Sequence, residues 1–394
     1  MSARITDLPL EALSVIVGPL ETVDRLALVS TCTTLRKQGA RIPHLWASLQ
    51  LAVPDNRLPQ LAAWLDKKGP TIHSLDFDFQ LQEGDWPALA AALQPLTRLT
   101  RLRLTDDRRR LWLCDRGGPP LNFRGLAFRS LRRLEVATSR YPLVQADVSL
   151  CDSLESMDIS PDCHLGYVHS PPSLTRLSMP LKVHRYGEVV WDCAFRASVP
   201  GLRELQLWCS WSEGALKYFD DASWTRDPGG HVDGESLDLA ELGELAPGLE
   251  VLAIDCSEAF EQREEDRLEL GLAGARQLPK GLRSLTVTQL GYFSHGFLPG
   301  LSGLLYLTQL CLPECHLHGV PRVLKGLTRL EVVQLSGCTS DVVGCTLAPL
   351  RALPRLRRLS LAGCDLRGLA AEELVQEGWP ALQELDLASA NVPG

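Results

Sequence analysis

Apolar residues recur along this chain in one phrase, L-x-x-L-x-L, whose first positions are Ile72, Leu99, Leu131, Leu154, Leu174, Leu202, Leu249, Leu282, Leu307, Leu330, Leu356 and Leu382. Successive copies lie 20 to 47 residues apart, and the last two intervals are both 26. Within each phrase the fourth and sixth positions alternate with polar ones, the pattern of a short strand buried on one face. The stretch LRRLSLAGCDLRGLAAEELVQEGWPALQELDL (356–387) joins two such strands through a segment with the apolar spacing of a short helix. One strand and one helix cannot enclose a core alone, so stacked copies must cover one another.

The phrases predict an α/β solenoid in which the third and fifth positions face outward. Fifth positions run Asp76, Arg103, Glu135, Asp158, Ser178, Gln206, Ala253, Thr286, Cys311, Gln334, Ser360 and Asp386; third positions include Arg101, Arg133, Arg176, Glu204, Gln309, Arg358 and Glu384. An extended polar surface of this kind suits a protein or peptide better than a deeply buried small molecule. Arg101, Arg103, Arg133 and Arg176 make its first half basic and are candidate target contacts.

Two interruptions break the rhythm, near 105–125 and near 208–247. The second carries Trp208, Trp211, Tyr218 and Trp224. Aromatic anchors are common interface hot spots, so Trp208, Trp211 and Trp224 are candidate target contacts as well; the alternative is a local cluster tethering a loop. An irregular extra unit through Ser236, Leu237 and Leu239 is a second way to read that interval. Prolines between 142 and 200 belong outside the strands, because proline cannot donate to a ladder.

Residues 1–50 follow another pattern. Leu10, Leu13, Ile16 and Val17 form one helical stripe, Gly18–Pro19 breaks it, and Val23, Leu26 and Leu28 form another. Asp7 can cap the first helix with Pro9 near its start, and Ser30 or Thr31 can open a third. The segment LPQLAAWLDKK (58–68) reads as a linking helix over the first repeat. The expected domains are a helical unit at 1–50, a linker and cap at 51–70, and about twelve repeats over 71–394.

The repeats resemble the leucine-rich-repeat family, especially its intracellular cysteine-containing type, with Cys315, Cys338 and Cys364 at the ninth position of the phrase. Asp107, Ser210 and Ser257 occupy that position elsewhere. The resemblance implies a horseshoe solenoid. The N-terminal helices resemble an F-box: Leu8, Pro9 and Glu11 match its opening, Leu13, Ile16, Leu20, Asp24, Leu26, Val29 and Ser30 its middle, and Leu45, Trp46 and Leu49 its close. Val17 stands where that family often has Phe, and Leu35 where an aromatic is frequent. The F-box resemblance implies a substrate receptor of a Skp1–cullin–F-box ubiquitin ligase. Leu8, Pro9, Ile16, Val17, Leu20, Leu26 and Trp46 would engage the Skp1-like adaptor, and the repeats a target protein. A helical cap on a non-enzymatic repeat scaffold is the other reading of the same residues.

Composition narrows the partners. With 394 residues and 45% hydrophobic content the chain can bury a large core, and a solenoid allows that length without splitting. A net charge of -8 of mixed sign disfavours general nucleic-acid binding. No 18-residue apolar run predicts a membrane span. Twelve cysteines without a CxxC pair, three at a buried repeat position, predict a reduced cytoplasmic or nuclear setting.

No GxSxG, Walker, dinucleotide or HExxH motif occurs, so a non-catalytic role is expected. The run CLPECHLH (311–318) offers sulfur and imidazole, but strand phase should point Cys311 outward and Cys315 inward, so neither metal nor cofactor is expected.

Overall fold

The computed structural model describes residues 46–53, 58–79, 86–106, 121–123, 128–138, 144–161, 163, 165–183, 198–211, 236–239, 241–257, 271–273, 278–289, 300–314, 323–338, 347–364, 366 and 379–391. The three N-terminal helices expected from sequence lie outside the described residues. The chain divides into two compact units, 1–174 and 175–394.

In the first unit the described elements run β1 (Ser48–Val53), α1 (Leu58–Lys68), a 3-10 turn at Gly69–Thr71, β2 (Ser74–Phe79), α2 (Trp86–Leu93), β3 (Arg101–Asp106), β4 (Leu121–Asn122), β5 (Arg133–Thr138), β6 (Val144–Asp147), β7 (Ser156–Ile159) and β8 (Leu165–His169). A parallel sheet takes the order β1-β2-β3-β5-β7, and β4-β6-β8 form a separate small sheet. In the second unit come β9 (Arg176–Val183), β10 (Glu204–Trp211), β11 (Ser236–Asp238), α3 (Leu242–Leu245), β12 (Val251–Asp255), β13 (Gly271–Ala273), β14 (Ser284–Thr288), β15 (Gln309–Cys311), β16 (Val332–Gln334), α4 (Ala348–Arg351), β17 (Arg358–Ser360) and β18 (Glu384–Asp386). Its parallel sheet is ordered β9-β10-β12-β14-β15-β16-β17-β18, with β11 paired to β13. Among the described residues no helix is long and apolar enough to cross a membrane.

All twelve phrases become strands, each beginning at its third position. Register keeps equivalent positions side by side: Leu75, Leu102, Leu134 and Met157 in the first unit, and Leu177, Leu205, Leu252, Leu285, Leu310, Val333, Leu359 and Leu385 in the second. From Leu75 to Leu359 these residues are buried. Burial of each contributes about 1.5–3 kcal/mol.

The same backbone contact recurs within each unit, from one main-sheet strand to the next. The carbonyl of the second phrase position accepts both leading N–H groups of the next strand. His73 O takes Thr100 N at 2.7 Å and Arg101 N at 3.1 Å, and Glu331 O takes Arg357 N at 2.8 Å and Arg358 N at 3.0 Å. Parallel strands normally need long crossovers. Here each crossover returns at a fixed point because that carbonyl holds two donors.

One strand was not expected. β1 pairs in parallel with β2, Leu49 beside Leu75 and Leu51 beside Phe77. Trp46, Leu49 and Leu51 thus form a thirteenth phrase, with Trp at its first position. Trp46 is only 5% exposed. Its ring meets Trp64 of α1 edge-to-face at 6.0 Å, a favourable aromatic geometry. The boundary placed at residue 50 therefore falls inside a strand, and α1, which buries Leu65, follows the first rung instead of preceding it.

Between 121 and 169 the connectors are themselves strands. β4, β6 and β8 alternate in sequence with the main strands and pair with one another. Phe123, Ala146 and Val168 are buried on this layer.

The thiols fill the ninth position as hydrogen-bond donors. Cys338 donates to Leu312 O at 3.0 Å and Cys364 to Leu335 O at 2.9 Å, each reaching the sixth-position carbonyl of the preceding repeat. Cys315 lies outside the described residues. The eighth position is left-handed in five successive repeats, with φ of 53° at Gln289, 57° at Glu314, 69° at Gly337, 70° at Gly363 and 57° at Ser389. Glycine accepts that conformation without the Cβ–carbonyl clash that other residues meet.

Gly337→Ala is expected to cost about 1–2 kcal/mol, because a left-handed Cβ is strained and would also stand 2.9 Å from Glu314 Cγ. Gly326→Ala, whose Cβ meets only Val323 O at 3.9 Å, should stay within about 0.5 kcal/mol of the parent. Urea denaturation of the two variants checks this; equal losses would contradict the turn assignment.

Candidate binding surface on the parallel sheet

Because β-strand side chains alternate, burying the fourth and sixth positions turns the third and fifth outward on every rung. In the first unit this face is charged and internally paired. Register sets Asp76 beside Arg103, Arg103 beside Glu135, and Glu135 beside Asp158. Glu135 is the hub. Its Oε1 lies 2.7 Å from Arg133 Nε and 3.0 Å from Arg101 Nη2, and its Oε2 lies 3.6 Å from Arg103 Nε. Arg103 also reaches Asp76 at 3.8 Å. The Glu135 side chain is 13% exposed, against 44–53% for the three arginines. At Oε1 the contacts are charge contacts without aligned hydrogen bonds.

Arg101, Arg103 and Arg133 are thus brought together as the sequence suggests, but around a carboxylate. With Asp76 and Asp158 on the same rows, the face is locally balanced in charge and is not a free basic patch.

In the second unit the face changes along the sheet. Arg176 on β9 holds Glu204 on β10 through Nε–Oε2 at 2.6 Å and Nη2–Oε1 at 2.9 Å. The Glu204 hydrogen bond holds the guanidinium above its ordinary pKa. Trp208 Nε1 donates to Ser178 Oγ at 2.9 Å.

Across β12, β14, β15 and β16 the third and fifth positions are then Val251, Ala253, Ser284, Thr286, Gln309, Cys311, Val332 and Gln334, with no charge among them. On β17 and β18 charge returns, with Arg358 Nε 3.0 Å from Glu384 Oε2. Along one edge, at the second position, Glu250 is held by Arg203 at 3.1 Å and Arg283 at 3.5 Å.

These uncharged third and fifth positions span about 14 Å, at the ~4.8 Å spacing of strands, and are bordered by ion pairs and by Asp255 at the end of β12. Interface cores are depleted of charge and their rims are polar. Sequence reading missed this contrast because it weighed the arginines. The signal was available in the run Ala253, Thr286, Cys311, Gln334 of fifth positions.

Trp208 and Trp211 belong to β10 and not to the insertion, which begins after residue 211. Trp208 is half-buried and tied to the neighbouring strand, which corrects its reading as a loop anchor. Trp224 lies outside the described residues, as do Leu8, Pro9, Ile16, Val17, Leu20 and Leu26. A strand does form at Ser236–Asp238, as β11, but it pairs with β13 in a separate two-stranded sheet and adds no rung to the main sheet; Leu239 is buried. Cys311, expected to face outward, is buried, with Gln309 Nε2 3.4 Å from its sulfur. Among the described residues no group of three or more His, Cys, Asp or Glu is placed to hold a metal ion.

Family models give no match to this chain, and curated proteins give none either. Solved structures do. An internalin of Listeria monocytogenes superposes with a TM-score of 0.52 at 13% identity, over 93% of this chain and 88% of that one. A leucine-rich-repeat protein of Leptospira interrogans gives 0.45 at 14% identity over 90% of this chain and 81% of that one. TLR13 in its complex with ssRNA13 gives 0.48 at 17% identity over 89% of this chain and 48% of that one. The internalin likeness shows the fold: a leucine-rich-repeat solenoid built on parallel strands.

Glu135→Ala is expected to leave three guanidiniums facing one another and to destabilise by about 1 kcal/mol at low salt, more than Arg103→Ala. Thermal unfolding at two ionic strengths checks it. The gap should narrow as salt rises; a gap independent of salt would argue against the paired face.

Proposed function

We propose that this chain is a non-catalytic protein-binding module whose repeats capture a target on the sheet face of the second unit. The observation that supports it is the run of uncharged third and fifth positions on β12, β14, β15 and β16, with ion pairs at its borders and Asp255 at the end of β12. A surface with that distribution excludes water over its middle and keeps register through its rim. Thr286→Arg would put an unpaired charge at the centre of the contact. Proteins that co-purify with the parent chain should be lost from this variant and kept by Lys325→Glu; an unchanged set would count against the surface.

The finer reading is a substrate receptor of a Skp1–cullin–F-box ubiquitin ligase, acting in the cytoplasm or nucleus. It is supported by the F-box-like order of residues from Leu8 to Leu49 directly ahead of the repeats. The F-box-like pattern runs to Leu49, inside β1, so pattern and first rung overlap in sequence, which suits a receptor holding its target at a fixed distance from the adaptor. Trp46 then packs the first rung, leaving Leu8, Pro9, Ile16, Val17, Leu20 and Leu26 as adaptor contacts. The chain would accelerate ubiquitin transfer by proximity alone, because holding reactants together removes much of the entropic barrier.

Binding to a purified Skp1–cullin complex should be stoichiometric and should be lost in the Leu8→Ala, Pro9→Ala double variant while its circular dichroism is unchanged. Full affinity in the folded double variant would sink this reading and leave a repeat scaffold with a helical cap.

A further inference from the structure

In the second unit the chain enters three successive strands through the same kind of turn. Leucines recur at every third position ahead of each strand, at Leu301, Leu304 and Leu307, at Leu324, Leu327 and Leu330, and at Leu350, Leu353 and Leu356; all are at most 2% exposed. Their backbones are joined three residues apart: Leu307 N donates to Leu304 O at 2.9 Å, Leu330 N to Leu327 O at 3.0 Å and Leu353 N to Leu350 O at 3.1 Å. A turn of three residues stacks every third side chain on one side. The two residues between face out. Between the second and third leucines these are Leu305 and Tyr306 ahead of β15, Thr328 and Arg329 ahead of β16, and Pro354 and Arg355 ahead of β17, all exposed.

The register of β15, β16 and β17 makes Tyr306, Arg329 and Arg355 equivalent on adjacent rungs. Two properties set this row apart. Leu305 and Tyr306 are 58% and 50% exposed, and they are the exposed large apolar side chains among the described residues of the second unit. Arg329 and Arg355 have no carboxylate partner among the described residues, whereas on the same edge Arg203 and Arg283 share Glu250. None of the outward residues in the three turns is acidic. The next row inward is Thr308, Glu331 and Arg357, with no net charge.

Arg329 lies over the Tyr306 ring at 4.6 Å. Stacking on an aromatic face is favourable for a guanidinium and fixes its plane, while its N–H groups remain at the rim in the fork that fits a carboxylate. The cations stop after two rungs, at Tyr306 on one side and at half-buried Ala381 on the other. A polyphosphate needs cations along its length, so a short acidic motif matches better. The row lies within the sheet, with described rungs on both sides of it, β14 and β18.

We propose that the turns leading into β15, β16 and β17 form a second binding site, taking a short segment of a partner protein in which an apolar side chain lies next to two acidic ones. The apolar side chain packs on Leu305 and Tyr306, and the carboxylates engage Arg329 and Arg355 on the two rungs beyond. The site lies where the strands begin and does not rest on the function proposed for the sheet face.

The test uses the full chain and fluorescein-labelled ten-residue peptides centred on Phe-Gly-Glu-Glu, Phe-Gly-Lys-Lys or Ser-Gly-Glu-Glu, each made in both chain orders and read by fluorescence anisotropy at two salt concentrations. The first peptide is expected to bind in one order and to weaken as salt rises. The lysine peptide should not bind, and the serine peptide should bind more weakly. Arg329→Gln and Arg355→Gln should each weaken the first peptide about fivefold, the upper range for one exposed pair. Thr286→Arg, on the sheet face, should leave its affinity unchanged, which separates this site from that surface. No binding in either order, equal binding of the lysine peptide, an equal loss in Thr286→Arg, or full affinity in the folded Arg329→Gln, Arg355→Gln double variant would overturn the proposal. Tighter binding of a ten-nucleotide oligothymidylate that the double variant abolishes would also overturn it, by giving the row to nucleic acid.

Discussion

No repeat in this chain can bury its own leucines. The side chains at the first, fourth and sixth positions leave water only when the neighbouring rung supplies the other half of the contact, so the stability of each strand is borrowed from the next. The second-position carbonyl makes that borrowing specific. By holding two N–H groups of the following strand it fixes where the crossover returns, and with it the register that keeps leucine beside leucine. Connectors can then vary in length and form, from α2 to the strands β4, β6 and β8, without disturbing the stack.

The same constraint creates the functional surface. Once the fourth and sixth positions are committed to the core, the third and fifth are outward on every rung and are free to vary in chemistry. The first unit spends them on a charge network centred on Glu135, and the second on a neutral field bordered by ion pairs. Ionic contacts at this exposure add little stability each. Their consequence is spatial: they hold long side chains along the rim and leave the centre smooth.

Much of the fold was legible in the sequence because the phrase is long and recurrent, and each first position marks a strand two residues later. The rung at β1 was hidden because Trp46 replaces the usual aliphatic residue, and Leu45, Trp46 and Leu49 also match the close of the F-box pattern. β4, β6 and β8 were hidden because strands of two to five residues gain their stability from pairing across repeats, which local pattern does not carry. Gly337 and Gly363 signal a left-handed turn, while Gln289, Glu314 and Ser389 adopt it with no residue-level cue. The outward phase of the arginines was readable. Their partners were not, because 47 residues separate Arg203 from Glu250 in sequence although they are adjacent in register.

Native-state amide exchange of the full chain tests the stacking account most directly. It should show slow exchange at the third phrase position of every described rung, beginning at Ser74, whose N–H is held by Ala47 O at 2.8 Å, and including Arg101, Arg133, Glu204, Val251, Ser284 and Arg358. Fast exchange at Ser74 alongside slow exchange at Arg101 would contradict it, because β1 would then not be a rung.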